Sequence, residues 1–444
     1  MATKKKAERN FVSNVDELSD VITSIGEKLD NAPVSLDRGS YVEGSVSFGS
    51  LIMDLVTGGG LPPAKVSNVY GPEGSGKSTA CGHLISNAIR DQIPVLFFDH
   101  EQASDAKYFR SLGVKMRNPD GSKNPYFHYF QPDTAEQTYK VMAQVLRHLP
   151  QYTPLSEGGR PKPQALFLID SVASMVPELV EESEEEDKKI RMAAAASTHS
   201  LYLPMVNSKL GRKNVSIFAT NQTRLNPGQM FGNPEYEPGG QAWRFYPALK
   251  YRLSAVGQPF VERNRSMRFV NISTKKNKQF PPFITVEKQL AVAFGRGFER
   301  GRDSWGYLDL TGQIEKSGTK YKVKMEGLPK DYVWNGVTMS RDALMPILCS
   351  NEFRHAARFQ LEREIAYKLF FSRNDWELDY KFDEEAPEDS LDDLDSLAAA
   401  LVNEQPSGVE SISPPKVRRS KKSTDQVVNE FMESSESMGE KTLV

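Results

Sequence analysis

The run GPEGSGKS at residues 71–78 constrains this chain more than any other feature. It fits the phosphate-loop pattern G-x-x-x-x-G-K-[ST]. It also stands between a β-prone segment, KVSNVY (65–70), and a helix-prone one, STACGHLISNAIRD (78–91). Gly71, Gly74 and Gly76 let backbone N–H groups converge on phosphate oxygens, and the helix adds the positive end of its dipole. Lys77 is placed to reach the β and γ phosphates, and the Ser78 hydroxyl to ligate Mg²⁺. The competing reading is a glycine-rich turn that only links strand to helix.

The surrounding pattern predicts an α/β fold. PVLFFD (94–99), ALFLID (165–170) and VSIFATNQ (215–222) read as strands, alternating with helical segments such as AEQTYKVMAQVLRHL (135–149). That alternation predicts a mostly parallel, twisted sheet. The almost wholly apolar ALFLID predicts a sheet covered on both faces. Upstream, Val15, Leu18, Val21, Ile22, Ile25 and Leu29 repeat with a helical period, and YVEGSVSFGS (41–50) reads as a short strand. Downstream, residues 256–325 read as β-rich, with RFVNIST and PFITVEK as strands, and 339–382 as a small helical unit. From Asp383 an acidic block gives way to the basic VRRSKK, which predicts a disordered tail. Four units are expected: 1–50, 51–330, 331–382 and 383–444.

Composition removes several classes of protein. With 444 residues, 39% of them hydrophobic, a sizeable core is available. No apolar run approaches the roughly 18 residues of a membrane span, so no membrane association is expected. MATKKKAERN carries no apolar segment, so no secretory signal is expected. Cys81 and Cys349 are too few for a disulfide framework and point to a reducing compartment. The net charge of -2 confines any nucleic-acid contact to a local patch.

Chemistry gathers at the predicted strand ends, where open α/β sheets bind ligands. Asp170 closes an apolar strand and is placed to support Mg²⁺; alone it reads as a turn cap. FFDHEQ (97–102) offers Glu101 as the group that activates an attacking water, with Asp99 as the rival and a solvated carboxylate as the plain reading. Gln222 reads equally as a γ-phosphate sensor or a loop amide. Beyond it, TRLNPGQMFGNPEYEPGGQAWRFYP is a long connection without regular structure, a kind that is often functional. In it Arg224 suits a phosphate, and Met230 or Phe231 a wedge between bases; the alternative is a linker. TKKNKQFPPF (274–283) adds Lys275, Lys276 and Lys278, either as a solvated face or as charge for a neighbouring phosphate.

Seven segments, in order, resemble the bacterial RecA recombinase family and its phage-encoded relatives over roughly residues 41–325. They are GLPPAKVSNVYGPEGSGKST, LFFDHEQASDAKYFRSLGV, FQPDTAEQ, LFLIDSVASMVPE, ATNQTR, MFGNPEYEPGGQAWRFYP and TKKNKQFPPF. The resemblance implies a RecA-like ATPase core with an N-terminal helix-strand oligomerisation element (1–50) and a small helical domain (331–382). It implies a DNA-dependent ATPase that uses ATP and Mg²⁺ and forms a helical homo-oligomeric filament on single-stranded DNA. That filament would pair with homologous duplex DNA and exchange strands in the cytoplasm of a bacterial or phage-infected cell. Single-stranded-DNA-binding and mediator proteins are the further partners it implies.

Residue by residue, Gly71, Pro72, Glu73, Gly74, Ser75, Gly76, Lys77, Ser78 and Thr79 are implied to hold nucleotide, with Asp105 and Tyr108 at its base and Ser78 and Asp170 at the metal. Glu101 matches the catalytic glutamate, and Gln222 the glutamine that links the γ-phosphate to a second DNA loop. That loop runs from Gln222 to Gly240 and includes Arg224, Met230, Phe231, Gly232, Gly239 and Gly240. The first DNA loop is implied at Glu178 to Met192 and is here rich in Glu. Phe245 matches a subunit-interface position, and Lys276 and Lys278 match a pair that reaches the neighbouring subunit's ATP. Asn226 stands where a lysine is common in the family. The alternatives are a helicase or RadA-like branch-migration motor on the same core, and a DNA-coating scaffold with weak hydrolysis.

Overall fold

The computed structural model describes residues 44–152, 162–181, 188–225, 235–262, 264–328 and 332–377. The expected N-terminal helix, the acidic segment 182–187, residues 226–234 with Met230, Phe231 and Gly232, and the tail beyond 377 lie outside them.

The described chain opens with α1 (Leu51–Thr57), capped by Ser50, whose hydroxyl accepts from the Met53 amide. Next come β1 (Val66–Gly71), α2 (Lys77–Arg90), β2 (Val95–Asp99), α3 (Ala106–Ser111), β3 (Phe127–Phe130), α4 (Ala135–His148) and β4 (Ala165–Asp170). A 3₁₀ turn (Val172–Ser174) leads to α5 (Glu178–Glu181), and α6 (Lys188–Lys213) returns to β5 (Val215–Gln222). β6 (Arg224–Leu225) and β7 (Glu235–Tyr236) precede α7 (Gly240–Phe245), followed by β8 (Leu249–Glu262), β9 (Arg265–Asn277), β10 (Thr285–Ala293) and β11 (Gly297–Phe298). The rest is α8 (Arg300–Leu310), β12 (Ile314–Ser317), β13 (Lys320–Val323), β14 (Thr338–Ser340), α9 (Arg341–Cys349) and α10 (Asn351–Glu377).

Among the described residues the main sheet runs β11-β10-β9-β8-β1-β5-β4-β2-β3. The pairs from β8 to β3 are parallel, and β9, β10 and β11 extend the sheet as an antiparallel meander. Both faces are covered, as the unbroken burial of β4 requires. One face packs Val69, Phe97, Leu168 and Phe218 against α2 and continues into α1, α8, α9 and α10. The other packs Phe98, Phe167 and Ile217 against Tyr139 of α4, Leu203 of α6 and Trp243 of α7. Each such large side chain contributes about 1.5–3 kcal/mol on burial. Parallel register sets four strand ends at one level: Gly71 lies beside Gln222, and Asp99 beside Asp170.

Three expectations need correction. The strand expected at 41–50 is, in its described part, only a bridge between Val46 and Leu61. There the Phe48 amide is bonded at 2.8 Å to the Asp54 carboxylate and takes no part in a ladder. PFITVEK enters its strand only at Thr285, because Pro281 and Pro282 lack an N–H and Phe283 has φ of 65°. The β-rich reading of 256–325 missed α8, whose Gly301 and Gly306 lower helix propensity. Both glycines are there for close packing. A Cβ at 301 would lie 2.6 Å from Met345 Cε, and one at 306 would lie 2.7 Å from Ile52 Cδ1. β12 and β13 fall within the stretch read as β-rich, and β14, from the unit expected to be helical, joins them in a small three-stranded sheet.

Burial sets three histidines, His83, His100 and His199, down to about 4 from 6.5. Such groups are neutral in the fold and take up protons in the unfolded chain below 6.5. Their stability contribution is therefore full above 6.5 and is lost as pH falls toward 4. Asp170, pushed up to about 6 by burial, opposes this: the fold binds its proton first. His199, enclosed by Tyr139 and Trp243, isolates the effect. Its replacement by Phe is expected to cost most at pH 8. The stability gap to wild type should narrow by about 1.4 kcal/mol per pH unit below 6.5. A constant gap in thermal unfolding from pH 8 to 5 would remove this assignment.

Candidate active site

The turn from β1 into α2 is shaped by glycine. A Cβ on Gly71 would lie 2.0 Å from the Leu253 carbonyl oxygen, so no other residue fits there. Gly76 caps α2 with φ of 92°, in the left-handed region open to glycine. Lys77, buried at the first position of α2, donates from Nζ to the carbonyls of Gly71 at 3.1 Å and Pro72 at 2.8 Å. Burial lowers its pKa, and Asp170, Glu101 and Glu73 raise it. Ser75 Oγ is buried and has no hydrogen-bond partner among the described residues. A lysine held by weak neutral acceptors, an orphaned hydroxyl and a turn of glycines form a cradle suited to phosphate oxygens.

This turn is one wall of an open cleft of about 310 Å³. The cleft is also lined by Glu101, Tyr108, Asp170 and Gln222, which come from behind β2, from α3, and from the ends of β4 and β5. Asp170 accepts a short hydrogen bond from Thr220 Oγ1; burial pushes its carboxyl up to about 6, against the lowering influence of Thr220 and the nearby Ser78 hydroxyl. Among the described residues no cluster of three or more His, Cys, Asp or Glu suits a metal. Ser78 and Asp170 alone supply too few oxygens, so a cation here needs phosphate oxygens as well, which is the usual manner of Mg²⁺.

The two carboxylates that the sequence left in competition are in different positions. Asp99 is 1% exposed, and its oxygens are taken by the amides of Glu101 (3.1 Å), Gln102 (2.8 Å) and Ser104 (3.3 Å) and by Tyr129 OH (2.9 Å). It shapes the turn that carries Glu101. Glu101 instead faces the cleft. Its Oε1 accepts from Ser171 Oγ at 2.6 Å and from Gln222 Nε2 at 2.8 Å, while Oε2 takes no hydrogen bond from described residues. Gln222 is therefore no free loop amide.

The feet of the two long loops stand together behind this group. β6 pairs with β7, so the segment after Gln222, expected to be irregular, begins and ends as a two-stranded ribbon. Arg224 Nη2 donates to the Ala173 carbonyl at 3.5 Å. Gly239 and Gly240 turn the chain into α7 at φ of 101° and 67°, against Val172 and Ala196. Glu136 joins the Glu178 amide and Thr198 Oγ1, each at 2.9 Å, across the first loop.

The other expected residues divide between the cleft and its surroundings. Tyr108 lines the cleft, its OH 2.6 Å from Thr79 Oγ1, whereas Asp105 caps α3 by accepting from the Lys107 amide at 2.8 Å. Phe245 is 61% exposed at the end of α7. Lys276 lies beside Lys250, two strands across from β1 and three residues back from Gly71. That is about 10 Å in each direction. Its Nζ donates to the Phe245 carbonyl at 2.7 Å, so in one protomer the lysines are apart from the cleft. Sequence reasoning missed Phe294, an exposed aromatic on the cleft wall, and Ser171. Phe294 stands in no motif, and Ser171, though it follows Asp170 in LFLIDSVASMVPE, carries no chemistry that singles it out; only the fold brings them to the site.

The family described as RecA N-terminal domain matches residues 31–299. The chain is 32% identical over 276 residues to Protein RecA of Thermus aquaticus, covering 62% of this chain and 74% of that one. It is 30% identical over 350 residues to Protein RecA of Borreliella burgdorferi (strain ZS7), covering 77% and 85%. Protein RecA of Bdellovibrio bacteriovorus is 30% identical over 283 residues, 64% and 68% of the two chains. The family match takes in every strand end that lines the cleft, and with these relatives it establishes that the chain belongs to the RecA-type recombinase family.

Proposed function

We propose that this chain is an ATP-dependent homologous recombinase that assembles as a filament on single-stranded DNA and pairs it with homologous duplex. One observation carries the reading: the phosphate turn, Glu101, Asp170 and Gln222 line a single cleft at the carboxyl ends of neighbouring strands. The turn's N–H groups and Lys77 bind the triphosphate. Ser78 and Asp170 hold Mg²⁺, which when bound neutralises phosphate charge. Tyr108 borders the base. Glu101 orients the attacking water and takes its proton at Oε2, the oxygen that accepts from no donor among the described residues. Gln222 ties the same carboxylate to the ribbon of the second loop, so nucleotide state and loop position are linked. Arg224 and the segment with Met230, Phe231 and Gly232 bind the polynucleotide. The segment before residue 44 docks on the next protomer, whereas Val46, Phe48 and Ser50 are buried in this protomer's own core, which α9 and α10 complete.

The lysines' distance from their own cleft supports a site completed by a neighbour, with Phe245 at the junction. Lys276→Ala is expected to stay folded and to lose DNA-stimulated hydrolysis. Mixed with Lys77→Ala, it should regain turnover, because intact lysines of one variant meet the intact cleft of the other. No recovery on mixing would place the lysines outside the reaction. The reading as a whole is tested by electron microscopy with single-stranded DNA and a slowly hydrolysed ATP analogue, alongside phosphate release. Filaments and DNA-stimulated release are expected; dispersed protein with neither would overturn it.

A further inference from the structure

Glu101 Oε1 is bonded from two sides, and only one of them has been given a role. Gln222 Nε2 reaches it from the foot of the second loop at 2.8 Å. Ser171 Oγ reaches it from the other side at 2.6 Å. Ser171 is fully buried and directly follows Asp170, whose carbonyl accepts from the amides of His100 at 2.7 Å and Glu101 at 3.2 Å. The end of β4 thus holds both the backbone and the carboxylate of Glu101. Two donors on one oxygen fix the side-chain rotamer and leave the second oxygen for water, a degree of preorganisation that catalysis rewards.

Ser171 is also the first residue of the turn that leads toward the first loop. Its hydroxyl is 3.3 Å from Ser174 Oγ, and its carbonyl accepts from the Ser174 amide at 3.1 Å. Arg224, at the foot of the second loop, bonds to Ala173 in this turn, and Gly239 at the other foot packs on Val172. A displacement of the turn therefore moves Ser171 relative to Glu101.

We propose that Ser171 is a positioning residue for Glu101, and that through the turn Val172–Ser174 it ties the foot of the first loop to the carboxylate that Gln222 ties to the second. This rests on the assignment of Glu101 as the water-activating group. Ser171 touches no reacting atom; it acts by holding Oε1 so that Oε2 is presented to water.

The test is the DNA-stimulated hydrolysis of full-length Ser171→Ala. Turnover should fall by about 10- to 100-fold, the cost of a misplaced group, with KM for ATP within twofold of wild type. In a Glu101→Gln background the same change should cause no further loss, because its target is already disabled. Ser171→Cys keeps the side-chain volume with a weaker donor, so it is expected to show the same loss and serves if the alanine variant fails to fold. Turnover within twofold of wild type in the folded variant, or an equal loss in the Glu101→Gln background, would overturn the proposal. If Glu101→Gln itself turns over normally, the assignment of Glu101 is what fails.

Discussion

Lys77→Ala is expected to reduce ATP turnover by about 10²–10³-fold or more, the loss typical of removing one preorganised charge-stabilising donor. The lysine is the first residue of α2 and is 8% exposed, so its charge is fixed at the floor of the cleft. Its present acceptors are two neutral carbonyls, at 3.1 and 2.8 Å, which a phosphate oxygen outcompetes by carrying charge. The substitution removes only the lysine's methylene stem from packing, so thermal unfolding should shift by a few degrees while nucleotide affinity and turnover collapse. Steady-state phosphate release with and without single-stranded DNA is the measurement. Turnover within tenfold of wild type in a folded variant would mean that the triphosphate is held elsewhere.

How far the sequence reaches is clear from particular residues. Apolar runs that end in an acid or an amide, ALFLID and VSIFATNQ among them, mark their own boundaries, because a strand buried on both faces must be apolar and its open end need not be. The phosphate turn announces itself because only glycine tolerates Leu253 at 2.0 Å. The choice between Asp99 and Glu101 is not local. It depends on three amides and Tyr129, which saturate Asp99, and Tyr129 comes from a strand about thirty residues away. Phe294 and Ser171 are ordinary residues made significant by position in the fold. The second loop's ribbon escaped notice because strands of two residues have no periodicity to read.

The largest effect on stability is expected far from the cleft, at Asp303. Its carboxylate is fully buried and accepts from Ser50 Oγ at 2.6 Å, from the amides of Leu51 at 2.9 Å and Ile52 at 3.2 Å, and from Arg354 Nη1 at 2.9 Å. It thus satisfies the open N-terminus of α1 and receives α10 at one point. Beside it Arg358 bonds to Asp54 Oδ2 at 2.6 Å and to the Gly59 carbonyl at 2.8 Å. Burial draws the Arg358 pKa down, but Asp54 and Glu362 leave it above the usual arginine value. Burial pushes the Asp54 carboxyl up, and Arg358, Ser47 and Phe48 pull it back. The two arginines lie one helical turn apart on α10, so they clamp that helix across both ends of α1.

Asp303→Ala leaves the amides of Leu51 and Ile52 without their acceptor and a partly buried guanidinium with only the Gly49 carbonyl and Ser304 hydroxyl, which costs about 3–5 kcal/mol. With an unfolding entropy of about 2.1 cal/mol/K per residue in a chain of 444 residues, that corresponds to a fall of about 3–8 °C in melting temperature. Pairing it with Arg354→Leu should recover part of the loss, since the stranded charge is then gone. Additive losses in the two variants would show that Asp303 works only as a helix cap. A fall below 2 °C for Asp303→Ala alone would show that α10 is held by its apolar face, through Phe353 and Leu361, and not by the clamp.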